Sequence, residues 1–434
     1  MEKLKRAVKE IAYARDQAKL SGFHRSLVPF LSFASSLYGV VLSLRRSLYC
    51  SGFFSRHRLP VPVISVGNLT WGGNGKTPMV EFIAKCLADY GISPLILTRF
   101  GLGSSNSEVK SGWFSTFGRV SQVSRIGSIL AAFYFASGYA GGDEAKMLQR
   151  HLLGGPVKVG IGANRMATAN LFFEKYGYVD CRGSKLFERT YLDQKVGSHI
   201  SLEKIGAAIL DDGMQHWSLC RDLEIVMING LMLWGNCKLF PLGPLREPLM
   251  ALKRADVAVV HHADLVLEQK LKDIELVIQE IKSLPVFYTR MAPSCFFEVS
   301  NINTKMHLGA VHNAVVLCVS AIGSSDAFVQ GMEKMGPIYV DRFDFSDHHS
   351  FQTKDIHMMR ERLRQLEDKF GYKPIVIVTE KDYDRDPQIL KHLHPFQVLV
   401  LCSEMQIIAR KGCNEHHLKL LLKELLEVKL SGAD

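Results

Sequence analysis

One stretch limits what this chain can become. Residues 61–81 read Val-Pro-Val-Ile-Ser-Val-Gly-Asn-Leu-Thr-Trp-Gly-Gly-Asn-Gly-Lys-Thr-Pro-Met-Val-Glu. The apolar run Val61 to Val66 predicts a buried strand, Gly72, Gly73 and Gly75 a turn, and the amphipathic stretch from Pro78 to Tyr90 a helix. Strand, glycine turn, Gly-Lys-Thr and helix together make a phosphate cradle over Gly72, Gly73, Asn74, Gly75, Lys76 and Thr77. Glycines let backbone N–H groups approach phosphate oxygens, and the helix N-terminus adds its dipole. Lys76 is placed for the outer phosphates, and the Thr77 hydroxyl for Mg²⁺. The strict spacing requires a glycine at position 70, where Thr70 stands. The competing reading is a structural glycine turn ahead of a helix.

The length of 434 residues predicts two domains with a sizeable core. The formal charge of +10 favours an anionic partner: nucleic acid, anionic lipid or a phosphorylated ligand. No dense Lys/Arg run interleaved with aromatics occurs, which argues against nucleic acid. Nine scattered cysteines without a Cys-x-x-Cys pair argue against a zinc site or a disulfide framework, and predict reduced thiols.

Residues 1–26 carry seven Lys/Arg against Glu2, Glu10 and Asp16, as in a basic amphipathic helix or a targeting segment. Residues 27–44 carry no charge, and Arg45 and Arg46 close them. Eighteen residues diluted by serines and Gly39 suit a helix lying in a bilayer interface better than one spanning it. The alternative is a core helix covering the first domain.

Strand–helix units then repeat, which predicts a parallel sheet covered on both faces. Apolar runs at 94–98, 157–161, 207–210, 224–229 and 256–260 are its strands. Residues 100–137 break the pattern and read as an insertion. Asp143 and Glu144 follow glycines, either at the mouth of a site or capping the next helix. Asp211 and Asp212 end an apolar strand, the place for a carboxylate that holds Mg²⁺ beside nucleotide phosphates, or simply a turn. Arg246 and Glu247 stand between prolines, as a charge clamp or an exposed ion-paired loop. Residues 286–290 and 296–300 read as two extended strands forming a connector. Beyond it, Asp347-His348-His349 offers metal ligands, a base or a helix cap, and Glu380-Lys381-Asp382 follows another strand.

Taken together, these strings resemble the tetraacyldisaccharide 4′-kinase family of lipid A biosynthesis, in a plant-type eukaryotic form. The matching segments are 66–78, 138–144, 211–216, 241–248, 347–349 and 379–382, in order along nearly the whole chain from residue 27. The resemblance implies transfer of the ATP γ-phosphoryl group to the 4′-hydroxyl of an acylated glucosamine disaccharide at a membrane surface. It implies a P-loop α/β domain (51–285, after a membrane-contacting segment 1–50), a two-stranded linker (286–301) and a second, smaller α/β domain (302–434). It also implies that Asp143 is the general base supported by His348, that Arg246 offsets charge in transfer, and that Thr77, Asp212 and Glu247 surround Mg²⁺.

Two departures stand out. The family normally continues Ser/Thr-Arg-Gly-Tyr, whereas here residues 100–137 separate Thr98-Arg99 from Gly138-Tyr139. The fold is expected to survive such a loop, but the placement of Asp143 is exposed to it, and a catalytically impaired nucleotide-binding isoform is the alternative. Ser324-Ser325 stands where the family more often has Asn-Pro. The basic extension predicts a mitochondrial, membrane-associated protein. The bacterial setting of the family, the cytoplasmic face of the inner membrane, is the alternative.

Overall fold

The strand that feeds the glycine turn runs through the interior of the sheet, buried along its whole length. The structure, a computed structural model, describes residues 2–14, 20–99, 141–179 and 204–430. The expected insertion at 100–137 lies outside the described residues, as does the side chain of Asp143.

In chain order the first half comprises α1 (Glu2–Tyr13), α2 (Gly22–Cys50), β1 (Val63–Asn68), α3 (Lys76–Asp89), β2 (Ser93–Thr98), α4 (Gly141–His151), β3 (Lys158–Ile161), α5 (Arg165–Tyr176), β4 (Ile205–Asp211), β5 (Leu223–Asn229), β6 (Val257–His261), α6 (Glu268–Ile281) and β7 (Val286–Glu298). The second half adds β8 (Asn301–Met306), β9 (Val315–Ser320), α7 (Ser325–Glu333), β10 (Tyr339–Asp344), α8 (Thr353–Phe370), β11 (Ile375–Thr379), α9 (Glu380–Arg385), α10 (Pro387–Lys391), β12 (Val398–Ile408) and α11 (Glu415–Leu430).

The strands form one sheet in the order β10-β9-β11-β12-β7-β6-β5-β1-β4-β2-β3, with β8 added on β7. Pairing is parallel within each half. It turns antiparallel where β7 meets β12 and β8. The connector expected as two strands within 286–300 is therefore one long strand, and its main partner, β12, comes from near the chain end. Pro293 is accommodated because the register shifts opposite it, between Cys402 and Ser403.

Both faces of the first half are covered, so its strands read as continuous apolar runs rather than alternating ones. Ile225 and Met227 face α3 with Ile83 and Leu87, whereas Val226 and Ile228 face α6 with Leu271 and Ile274. Leu418 and Leu422 of α11 return to the α3 side and tie the chain end to the first half. Each such side chain contributes about 1.5–3 kcal/mol by leaving water.

Helix α2 has an inverted pattern. Ser35 and Tyr38 are buried against the body, while Phe23, Phe30, Phe33, Val40 and Leu44 are exposed. Phe30 and Phe33 are about three-quarters exposed (76% and 75%), and with Leu37 and Val40 they make an apolar stripe at i, i+3, i+7 and i+10 that points outward. Among the described residues this is the one helix long and apolar enough to cross a membrane.

Candidate active site

β1 delivers its backbone to the glycine turn and α3 begins at Lys76, capped by Gly75 without any side-chain cap. Gly75 has φ +76°, the left-handed region, and a Cβ there would stand 2.6 Å from the His261 ring. Thr70 is a working part of the loop. Its backbone bridges Leu245, and its hydroxyl lies 3.2 Å from Asn74 Oδ1. Asn74 Nδ2 in turn donates to the Gly72 carbonyl at 2.8 Å, so this side chain shapes the turn from inside.

Three charged groups converge beside the cradle. Arg246 Nη1 donates to Asp212 Oδ1 at 2.7 Å, and Lys76 Nζ lies 3.7 Å from the same oxygen. Burial pushes the Lys76 pKa down, and the Asp212 charge opposes that shift. Arg246 Nη1 also donates to Gln215 Oε1 at 3.3 Å, and Gln215 Nε2 to the Asn68 carbonyl at 3.0 Å. Asp211 is buried at the end of β4. Thr98 Oγ1 donates to its Oδ2 at 3.3 Å, and its Oδ1 has no hydrogen-bond partner among the described residues. Burial raises the Asp211 pKa, Glu144 raises it further, and Lys76 opposes the rise. Asp212 sits at φ +52°, and Arg165, buried at the start of α5, donates to the carbonyls of both aspartates. Thr77, also buried, lies one residue into α3.

A buried lysine at a glycine turn, a threonine at the helix start, a carboxylate between two cations and an unpartnered carboxylate oxygen form a suitable donor set for phosphate and a hard divalent cation. Glu247 is engaged elsewhere, because Arg254 Nη2 contacts both its oxygens at 3.0 and 2.8 Å. Among the described residues no group of three or more His, Cys, Asp or Glu side chains is preassembled for a metal.

The second half reaches the same place by two routes. The turn after β9 lies on the cradle: Ser324 Oγ donates to the Gly73 carbonyl at 3.1 Å, and Asn229 Nδ2 bridges Gly73 O (2.7 Å) and Ser324 Oγ (3.0 Å). Gly323 packs so closely that a Cβ would stand 2.1 Å from Gly73 N. The second route is Lys381, whose Nζ lies 3.2 Å from Glu144 Oε1, 3.4 Å from Asp347 Oδ1 and 3.4 Å from His348 Nε2. Glu144 follows Asp143 in α4, so His348 belongs to the loop facing that helix. His349 turns away, with Nε2 2.7 Å from Asp355 Oδ2 and its ring stacked on Phe345. At the other end of α4, Arg150 pairs with Glu380 and Asp384, and His151 lies between Glu81 and Glu380.

Of the residues expected from the sequence, the structure brings Lys76 and Arg246 together on Asp212, with Thr77 next to Lys76 in α3, and sets His348 beside Lys381. Sequence reasoning missed Arg165, Gln215 as an Arg246 partner, and the Arg150–His151 clamp. A lone arginine one residue past a helix cap carries no local signal.

A family model described as tetraacyldisaccharide-1-P 4′-kinase matches residues 27–422. A relative from Arabidopsis thaliana named probable tetraacyldisaccharide 4′-kinase, mitochondrial, is 56% identical over 408 residues, covering 94% of this chain and 93% of its own. The tetraacyldisaccharide 4′-kinase of Desulfotalea psychrophila is 32% identical over 349 residues, 80% of this chain and 85% of its own. A crystal structure of "apo" form LpxK from Aquifex aeolicus in complex with ATP aligns with TM-score 0.55 and 23% identity, covering 93% of this chain and 99% of that one, and bears on the fold.

Proposed function

The chain belongs to the tetraacyldisaccharide-1-phosphate 4′-kinase family, and on that premise we propose that it transfers the γ-phosphoryl group of ATP to the 4′-hydroxyl of a tetraacylated glucosamine disaccharide 1-phosphate, using the residues gathered at the cradle. In this reading the 4′-oxygen attacks the γ-phosphorus, the bond to the β-phosphate oxygen breaks, and ADP leaves. Asp143 accepts the hydroxyl proton, and His348 takes it on or holds the carboxylate in line. Lys76 and the backbone of Gly72 to Gly75 hold the phosphates, and Arg246 offsets the charge that builds up on the transferred group. Thr77 and Asp212 would hold Mg²⁺, with Glu247 joining once Arg254 releases it. Such a cation would neutralise part of the phosphate charge.

The observation that carries the residue roles is the convergence of Lys76 and Arg246 on Asp212 Oδ1. The two cations stand side by side there, placed to take phosphate oxygens. Membrane association is supported by α2, whose outward Phe30, Phe33, Val40 and Leu44 suit the acyl boundary of a bilayer, with basic residues of the N-terminal region near anionic head groups. The name of the Arabidopsis relative supports a mitochondrial setting.

The test is transfer of label from γ-labelled ATP to the acylated disaccharide 1-phosphate by the intact chain. Wild type should label the glycolipid, and Lys76→Ala should not. Undiminished labelling by Lys76→Ala would reject the role given to the cradle.

A further inference from the structure

The outward face of α2 is apolar, and its inward face carries polar groups aimed at the loops that build the phosphate site. Ser35 Oγ donates to the Leu239 carbonyl at 2.9 Å. One turn on, the Tyr38 hydroxyl donates to the Arg246 carbonyl at 2.9 Å, and this contact is buried. Two turns further, Arg45 Nη2 donates to the Gln215 carbonyl at 2.9 Å. The last two acceptors belong to residues whose side chains meet at 3.3 Å, Arg246 Nη1 on Gln215 Oε1. Their remaining bonds lead into the cradle: Arg246 N donates to the Leu69 carbonyl at 2.6 Å, and Gln215 Nε2 to the Asn68 carbonyl at 3.0 Å. The Tyr38 ring also packs edge-on against Phe240, which packs edge-on against Trp71 of the glycine loop.

An anchoring helix has no need of this arrangement. A membrane tether works through its apolar face and tolerates rotation and sliding. Three side chains at positions 35, 38 and 45 fix both the rotation and the axial position of α2 against the body. Two of them hold the backbone of Arg246, which pairs with Asp212, and of Gln215, which pairs with Arg246. We propose that Tyr38 and Arg45 are positioning residues for phosphoryl transfer, so that the membrane-facing helix is a structural wall of the phosphate site as well as its anchor. The proposal rests on the role given to Arg246 above. Arg246 is useful only if its guanidinium stands where charge builds up in transfer, and a displacement of about 1 Å is costly there.

The same geometry gives the mechanism a direction. Seating the outward face in a bilayer restrains α2, and that restraint passes through the two carbonyls to Arg246 and Gln215. Turnover on the glycolipid should therefore depend on these bonds more than nucleotide affinity does, because the side chain they position, Arg246, is assigned to the charge that builds up in transfer, whereas Lys76 and the backbone of Gly72 to Gly75 hold the phosphates.

The experiment compares the full-length chain with Tyr38→Phe, which keeps the ring packing, and Arg45→Met, which keeps most of the aliphatic bulk. Three readouts are needed: kcat with saturating acylated disaccharide, KM for ATP, and flotation with vesicles of phosphatidylcholine and cardiolipin. The expected result is a kcat lowered roughly tenfold in each variant. KM for ATP should stay within about twofold and flotation should be unchanged. In the double variant the loss should fall short of the product of the two, because both bonds serve one pair of residues. A kcat within twofold of wild type in both variants would overturn the proposal. So would a loss that follows flotation, since that marks a plain anchor. Absence of labelled glycolipid from the wild-type chain would instead overturn the underlying kinase assignment, which keeps the two failures apart.

Discussion

Lys381 and Glu144 are joined by an ion pair of 3.2 Å that ties the helix carrying Asp143 to the loop carrying His348. The lysine comes from the first turn of α9 and the glutamate from the first turn of α4, two helices that pack against each other. Because the same ammonium lies 3.4 Å from both Asp347 and His348, it holds an acidic residue and a histidine at a fixed separation. Lys381→Met should lower kcat by roughly ten- to a hundredfold through loss of alignment, with KM for ATP little changed. Steady-state kinetics checks this, and an unaltered kcat would remove Lys381 from the catalytic arrangement.

The adjacent histidines should separate cleanly. His348 faces Lys381, whereas His349 bonds Asp355 and stacks on Phe345 inside the second half. His348→Ala should lower kcat by roughly 10²-fold with little change in melting temperature. His349→Ala should cost about 1–3 kcal/mol of stability, because it leaves Asp355 buried without that partner, and should spare kcat in the folded fraction. Paired kinetics and thermal unfolding distinguish them, and the reverse pattern would reassign the base partner.

Much of this was legible from residue order, and the reasons are physical. β1, β4 and β5 are buried along their lengths, so their apolar runs stand out against the polar turns that end them. Lys76, Asp212 and Arg246 each follow such a run or sit in a proline-fixed loop, so local sequence marks them. The contacts that span many residues left no local mark. Arg150 with Glu380 and Asp384, Ser324 with Gly73, and Tyr38 with Arg246 join segments far apart in the chain. The long β7 was read as two strands because Pro293 looks like a break, and only its partner's register shift lets the strand continue. Thr70 looked like a defect in the glycine pattern until its bridge to Leu245 placed it inside the loop.

Closure of the second half over the cradle is set by the absence of a side chain. Gly323→Ala would put a carbon 2.1 Å from Gly73 N, against backbone that cannot move aside cheaply. The expected cost is about 1–3 kcal/mol of stability, together with a raised KM for ATP, as the turn is forced off the glycine loop. Chemical denaturation and ATP titration measure the two effects. A variant indistinguishable from wild type in both would mean that this contact does not persist in solution.

The clamp at the far end of α4 should appear in the pH dependence of stability. Burial lowers the His151 pKa, but hydrogen bonds to Glu380 and Glu81 outweigh it and raise the value to about 9, with Arg150 bound to the same Glu380. The folded state therefore favours the protonated ring. This contribution is complete below the ordinary histidine pKa of about 6.5 and is lost as pH rises through about 9. After discounting for solvent screening it amounts to about 1–2 kcal/mol. Unfolding free energies between pH 6.5 and 9.5 should fall in wild type and flatten in His151→Gln. Equal slopes in the two proteins would remove His151 from the clamp.

The central claim is regiospecific phosphoryl transfer, and the direct measurement is the position of the new phosphate. The glycolipid product of the intact chain, ATP and Mg²⁺ should be isolated and the new phosphorus correlated to its sugar proton by ³¹P–¹H NMR. The expected result is a correlation to the 4′ proton of the tetraacylated disaccharide in the wild-type product, and no product from Asp143→Asn. A phosphate at any other hydroxyl, or full product formation by Asp143→Asn, would contradict the function and the base assigned here.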